Sequence, residues 1–252
     1  MFSKTISALK GARAGAPRVP APRVPEGARV YVIGDIHGRL DLLTQLRERI
    51  VLDSGDFTGE RKVMVYLGDY VDRGPQAKEV IDLLVDEPLG GFESVHLEGN
   101  HEKFFLDFLG DASVWPLWLY NGAGATISSY GVSSTAGAES VQAEFRARIP
   151  ARHLEFLSAL ALSHTEGDYF FVHAGVRPGV ALEDQDEADM IWIRDLFLSS
   201  DADHGKIVVH GHSIARQPEI EANRIGIDTG AYATGTLTCL VLEGEGRAFL
   251  HT

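Results

Sequence analysis

Five short motifs recur along the chain, each ending or following a short apolar run. They are Gly34-Asp35-Ile36-His37-Gly38, Gly68-Asp69-Tyr70-Val71-Asp72-Arg73-Gly74, Gly99-Asn100-His101-Glu102, His173-Ala174-Gly175 and Gly211-His212-Ser213. Short apolar runs bounded by turn residues read as buried strands. The oxygen- and nitrogen-bearing side chains then stand at strand tips, where a sheet can hold several loops around one point.

The intervening sequence supports this placement. Residues 30–33 are β-branched and lead through a polar turn into Leu40, Leu43, Leu46 and Ile50 at helical spacing. Residues 62–67 predict a second strand and 77–85 a helix; residues 94–97 predict a third strand and 102–109 a helix. Such alternation implies parallel neighbours with active loops at their carboxyl ends. Residues 110–165 break the rhythm. Within them 115–120 is aromatic, 121–130 reads as a Gly-rich loop, and 139–162 reads as two helices meeting at Pro150. A helical insertion over the site is expected there. Strands follow at 169–172, 207–209, 224–227, 237–242 and 247–250, the last three antiparallel by their close spacing and Gly-rich turns. The expected fold class is α/β: a four-layer sandwich of two mixed sheets face to face, helices outside, over residues 28–252. Residues 1–27 are rich in Ala, Gly and Pro, with Lys4, Lys10, Arg13, Arg18 and Arg23 and no acid before Glu26. They read as a disordered basic arm.

A length of 252 residues with 44% hydrophobic content suits one large domain. The net charge of −13 argues against nonspecific nucleic-acid binding, which rests on basic groups neutralising phosphates. Cys239 is the only cysteine, so no intrachain disulfide can form. No apolar run approaches the roughly 18–20 residues of a membrane span, and none resembles a signal-peptide core. The expected location is cytoplasmic, with no integral membrane segment.

The polar tips compose a metal constellation. Asp35 and His37 lie two apart after a strand, so an extended backbone would turn both to one side. Asp69 ends the next strand and has two oxygens with which to bridge two ions. Asn100, His173 and His212 would complete a second site, although spacing does not choose between His210 and His212. The donors are nitrogen and oxygen with no thiolate, which suits Mn²⁺, Fe or Zn²⁺ in an open site better than a structural zinc cage. Taken singly, an Asp after a strand is usually a cap or turn former, and His173 a satisfied core histidine. Five such motifs in one order reverse that reading.

The motifs resemble the PPP family of metal-dependent serine/threonine protein phosphatases, within the calcineurin-like metallophosphoesterase superfamily and in particular its bacterial and bacteriophage lambda-phosphatase-like branch. The resemblance runs from about residue 30 to 246. It includes Trp118-Leu119-Tyr120-Asn121-Gly122, Ile191-Trp192-Ile193-Arg194 and Ile227-Asp228-Thr229-Gly230-Ala231. It implies that Asp35, His37 and Asp69 bind a first metal, and Asp69, Asn100, His173 and His212 a second. It favours His212 over His210, makes His101 the general acid oriented by Asp72, and gives Arg73, Arg194 and Asn100 to the substrate phosphate. Two ions, most often Mn²⁺, roughly 3.5–4 Å apart would activate a shared hydroxide for in-line attack without a phosphoenzyme. The chain departs from the pattern at Glu98, where many members carry Arg, at Ala123 for Gly and at Ser213 for Thr.

The expected function is hydrolysis of phosphoserine and phosphothreonine, with a phosphoprotein or small phosphorylated molecule as partner. The alternative is symmetrical cleavage of dinucleoside polyphosphates by the same metal set. A phosphate-binding adaptor with a decayed site is a third class, and the complete set of ligands, acid and arginines argues against it.

Overall fold

The computed structural model describes residues 21–252. The basic arm expected over residues 1–27 lies outside the described residues up to residue 20. Its last part departs from expectation by packing on the domain. Val24 is wholly buried, its N–H bonds the Gly244 carbonyl at 3.1 Å, and the Arg23 N–H donates to the Asp168 carboxylate at 2.9 Å.

The first half alternates strands with helices: β1 (Ala28–Ile33), α1 (Leu40–Asp53), β2 (Arg61–Tyr66), α2 (Ala77–Asp86), β3 (Glu93–His96) and α3 (Asn100–Gly110). Four helices follow: α4 (Trp115–Tyr120), α5 (Ala123–Ser129), α6 (Ala138–Arg148) and α7 (Ala151–Ser158). Pro150 stands between α6 and α7 as the N-cap of the second. The segment expected as a Gly-rich loop is instead largely α5. Gly122 takes a left-handed φ of 108°, ends α4 and starts α5, which then buries Thr126 and Ile127. The small residues that suggested a loop let α5 lie against α2.

The second half supplies β4 (Ser163–Glu166), β5 (Tyr169–Val172), α8 (Glu187–Trp192), α9 (Asp195–Leu198), β6 (Ile207–His210), β7 (Glu219–Ile220), β8 (Arg224–Gly226), α10 (Ala231–Thr234), β9 (Thr238–Glu243) and β10 (Gly246–His251). One sheet runs β10-β9-β1-β2-β3 and the other β4-β5-β6-β8-β7. β1, β2 and β3 are parallel; β9 and β10 add antiparallel. The expectation of three antiparallel terminal strands holds only for β9 and β10. β8 pairs parallel to β6, Val209 opposite Ile225, because Ile225 and Ile227 are needed between the sheets. β4 and β7 carry no apolar alternation and gave no signal.

Strand alternation sorts the core into layers. Tyr31, Ile33, Met64 and Tyr66 face helices α1 to α7. Val30, Val32, Val63 and Val65 face Tyr169, Phe171, Ile207 and Val209 across the sandwich. Phe170, Val172 and Val208 face Met190, Ile193 and Phe197 of the outer layer. Each such side chain contributes about 1.5–3 kcal/mol by leaving water. Both sheets therefore present rigid carboxyl ends to one edge of the sandwich.

Candidate metal centre

Each motif leaves its strand at that edge. β1 delivers Asp35 and His37, β2 delivers Asp69, Asp72 and Arg73, and the turn after β3 delivers Asn100 and His101 as the first residues of α3. From the second sheet, β5 ends before His173 and β6 before Gly211-His212. All these side chains except the arginines are at most 5% exposed.

Backbone strain is confined here. Among the described residues the non-glycine positions with positive φ are His37, Asp69, Asp72, Arg73 and His212. Left-handed backbone costs an ordinary residue about 1–3 kcal/mol and persists only where the surroundings enforce it. Glycines allow the close approaches: a Cβ at residue 211 would collide with the Asp35 carboxylate, and one at residue 99 with that of Asp69.

Asp69 is the hub. Its Oδ2 lies 3.4 Å from His37 Nε2 and 3.8 Å from His101 Nε2, and its Oδ1 lies 3.4 Å from His173 Nε2. His173 Nε2 also meets Asn100 Oδ1 at 3.0 Å. Two groups of donors close enough to share an ion result: His37, Asp69 and His101, and Asp69, His173 and His212. Asp35 stands beside them, accepting the His212 N–H at 3.0 Å. Burial, then the charges of Asp228 and Asp69, push its carboxyl well above the usual carboxylate range.

The donor set fits divalent cations. His37 and His173 each place Nδ1 2.8 Å from a backbone carbonyl, of Val71 and Leu67. Donating there commits the ring proton and turns the Nε2 lone pair inward, as in metal-binding histidines whose other ring nitrogen bonds a carbonyl. Burial lowers His37 to about 3 and lowers His173 and His212 as well, so these rings are neutral near pH 7. His212 Nε2 is buried without a hydrogen-bond partner among the described residues. Lone pairs converging on a carboxylate form a site that a cation relieves. His210 turns elsewhere, its ring 5.1 Å from Phe197 on the outer face of the second sheet, so the structure brings His212 into the constellation and leaves His210 out.

Beside this lies a second network. His101 Nδ1 is 2.6 Å from Asp72 Oδ2, and Arg73 Nη2 is 3.2 Å from His101 Nε2. Guanidinium only donates, so the resting Nε2 holds the lone pair and Nδ1 the proton. Burial opposes charging His101, but Asp69 and the bond to Asp72 outweigh it and raise its pKa. Arg194 donates to the His212 carbonyl at 3.2 Å. All the expected site residues are thus neighbours.

Three positioning residues were not read from the sequence. Trp118 Nε1 donates to Asp72 Oδ2 at 2.7 Å and Thr126 Oγ1 to Asp72 Oδ1 at 2.6 Å. Trp118 of α4 stands in a segment that carries the family resemblance but implied no role for it, and Thr126 of α5 stands in no motif. Glu102 accepts the N–H groups of Asp69, Tyr70, Gly99 and, at 3.3 Å, Val71. Its signal was available: a Glu three residues after an N-cap is half of a capping box, and here it bonds back to the N-cap Gly99.

Among known proteins, the profile of the calcineurin-like phosphoesterase family matches residues 28–235. The bis(5'-nucleosyl)-tetraphosphatase PrpE [asymmetrical] of Bacillus thuringiensis (strain Al Hakam) is 24% identical over 229 residues, covering 83% of this chain and 88% of that one. The protein of the same name from Geobacillus thermodenitrificans (strain NG80-2) is 26% identical over 232 residues, 84% and 89% of the two chains. In structure, a putative diadenosine tetraphosphatase superposes with a TM-score of 0.61 at 22% identity over 92% of this chain and 98% of that one. A cold-active protein-tyrosine phosphatase of a psychrophilic Shewanella superposes with 0.55 at 15%, over 90% and 83%.

Proposed function

The chain belongs to the calcineurin-like phosphoesterase family, a family of metal-dependent hydrolases, and from that premise we propose that it hydrolyses phosphoserine and phosphothreonine monoesters. The observation that carries the metal assignment is Asp69, whose two oxygens face different imidazoles. On this reading Asp35, His37 and Asp69 hold one ion, and Asp69, Asn100, His173 and His212 the other, in the manner of the bacterial and bacteriophage protein phosphatases. Divalent ions, with Mn²⁺ the first choice, supply Lewis-acid charge and lower the pKa of water.

The chain's own residues do the rest. Arg73 and Arg194 present planar forks to the phosphoryl oxygens, a geometry lysine does not match. When Arg73 turns to the phosphoryl group it releases the His101 Nε2 lone pair, which takes up a proton from solvent and passes it to the leaving oxygen. Asp72 fixes the ring by accepting from Nδ1, and Trp118 and Thr126 hold Asp72. An alkoxide is a poor leaving group, so this proton matters most for alkyl esters.

The names of the relatives favour a second reading, cleavage of dinucleoside tetraphosphates, with the asymmetrical cut in place of the symmetrical one. Phosphoserine and phosphothreonine peptides should be assayed beside diadenosine tetraphosphate in Mn²⁺, with phosphate and nucleotide products separated. Phosphate from the peptides is the expected result. Nucleotides from the dinucleotide with no phosphate from peptides would replace the first reading by the second.

A further inference from the structure

One buried carboxylate at the metal edge, Asp228, is left unused by the donor sets of the two ions. β8 runs parallel to β6 with His210 opposite Gly226, and the Ile227 N–H continues the pairing by donating to the His210 carbonyl at 2.9 Å. The chain therefore leaves β8 at the same edge as the other motifs, and Asp228 emerges level with His212. β1 approaches from the other sheet. A Cβ on Gly34 would stand 2.8 Å from the Ile227 carbonyl oxygen, so residues 34 and 227 touch and the next residues, Asp35 and Asp228, come together. Their carboxyl groups are in hydrogen-bond contact. Asp35 is 2% exposed and Asp228 3%.

Asp228 is also fixed in place. Its Oδ1 accepts the Gly230 N–H at 2.9 Å, and its main-chain carbonyl accepts the Ala215 N–H at 3.0 Å, which ties it to the loop that carries His212. From the backbone, the Asp35 carboxyl accepts only the His212 N–H. Among the described residues neither carboxyl forms an ion pair with an arginine, lysine or histidine, whereas Asp69 meets three imidazoles. Two adjoining carboxylates out of water, with one backbone donor each, are short of positive charge, and a divalent cation offsets such a pair. A turn former would account for the Gly230 bond, but it would leave the contact with Asp35 without a purpose. We propose that Asp228 is a further carboxylate donor to the ion held by Asp35, His37 and Asp69, which then has three carboxylates and one imidazole about it. This rests on the metal-dependent phosphoesterase reading above. It makes that end of the centre richer in oxygen than the end built from Asp69, Asn100, His173 and His212, and oxygen donors suit hard ions such as Mn²⁺.

The test uses the full chain, stripped of metal with chelator, as wild type, Asp228→Asn and Asp228→Ala. Asparagine keeps an oxygen for the Gly230 N–H and drops the charge, whereas alanine drops both. Mn²⁺ is titrated in, with binding read by calorimetry and by the electron paramagnetic resonance signal of the free ion. The wild type should bind two ions. Asp228→Asn should weaken one of them by roughly ten- to a hundredfold and leave the other unchanged. In chelator Asp228→Asn should melt no lower than the wild type, because it removes a like charge beside Asp35 and keeps the turn. Two Mn²⁺ bound by Asp228→Asn with wild-type affinities would overturn the assignment and leave the Asp69 centre standing. A loss of binding confined to Asp228→Ala would do the same, since that is the mark of a turn former. An Asp228→Asn protein already destabilised or unfolded in chelator would make the residue structural and overturn its role as a donor. A wild type that binds no Mn²⁺ would bring down the metal centre itself, and the part of Asp228 with it.

Discussion

At the scale of single residues, His101 shows how neighbours set a role. Its Nδ1 proton goes to Asp72 at 2.6 Å, so one nitrogen is committed and the other is free for substrate once Arg73 moves. His101→Asn should cut turnover of alkyl phosphates by about a hundredfold or more, the usual worth of a positioned acid, and that of nitrophenyl phosphate far less. Steady-state assays of both esters decide it, and an equal loss on the two would remove His101 from the acid role. Glu98 is another residue whose environment matters. It is partly buried, with burial and then Glu187 pushing its carboxyl upward against the opposing charge of Lys103, and so stands in a mixed neighbourhood of Glu187, Lys103 and Asp107.

At the scale of elements, α4 and α5 reach the chemistry through Asp72. Trp118 and Thr126 are both wholly buried, and Thr126 Oγ1 both donates to the Asp72 carboxylate and accepts the Asp72 N–H at 2.8 Å. Thr126→Val keeps the shape and removes both bonds, leaving a buried N–H and one carboxylate oxygen short of a partner at a cost of about 1–3 kcal/mol each. The expected outcome is a kcat reduced about tenfold or more on alkyl esters with KM little changed, because the ring is misaligned while the arginines are untouched. A rise in KM alone, in the same assay, would place Thr126 in substrate binding instead. These helices also mark where sequence reading stopped. Asp35, His37, Asp69, Asn100, His173 and His212 could be read because each follows a short run with apolar residues, and the five runs that carry them became β1, β2, β3, β5 and β6. Trp118 and Thr126 could not, since a hydrogen bond between residues 46 or 54 positions apart leaves no local pattern. β8 was recognised as a strand but given the wrong partner, because pairing depends on which sheet needs Ile225, and that is settled by packing rather than spacing.

At the scale of the molecule, the site closes only when both sheets are in place: Asp35 from the first accepts the His212 N–H of the second, 177 positions away. Stability should reflect the buried, neutral histidines. Burial lowers His37 to about 3 and His96 and His210 each to about 4, against an ordinary 6.5. Folded values below the unfolded one mean that the unfolded chain takes up protons first. These histidines therefore contribute stability that is full above about pH 6.5 and is lost by about 1.4 kcal/mol per pH unit for each such group as pH falls toward 4, while the raised carboxyls of Glu102 and Asp228 and the raised His101 oppose part of that loss. Melting in chelator should show Tm falling between pH 7 and 5. Divalent ions at a hundredfold over their Kd should raise Tm by roughly 5–10 °C at pH 7.5. A Tm indifferent to both pH and added Mn²⁺ would contradict a histidine-lined ion site. No helix among the described residues is long and apolar enough to cross a membrane.

The five left-handed residues have one more consequence. Among the described residues, the only non-glycine departures into that backbone region are His37, Asp69, Asp72, Arg73 and His212. Wear should therefore begin where the work is done. On ageing or mild heating, catalytic competence should fade while far-ultraviolet circular dichroism still reports an intact scaffold.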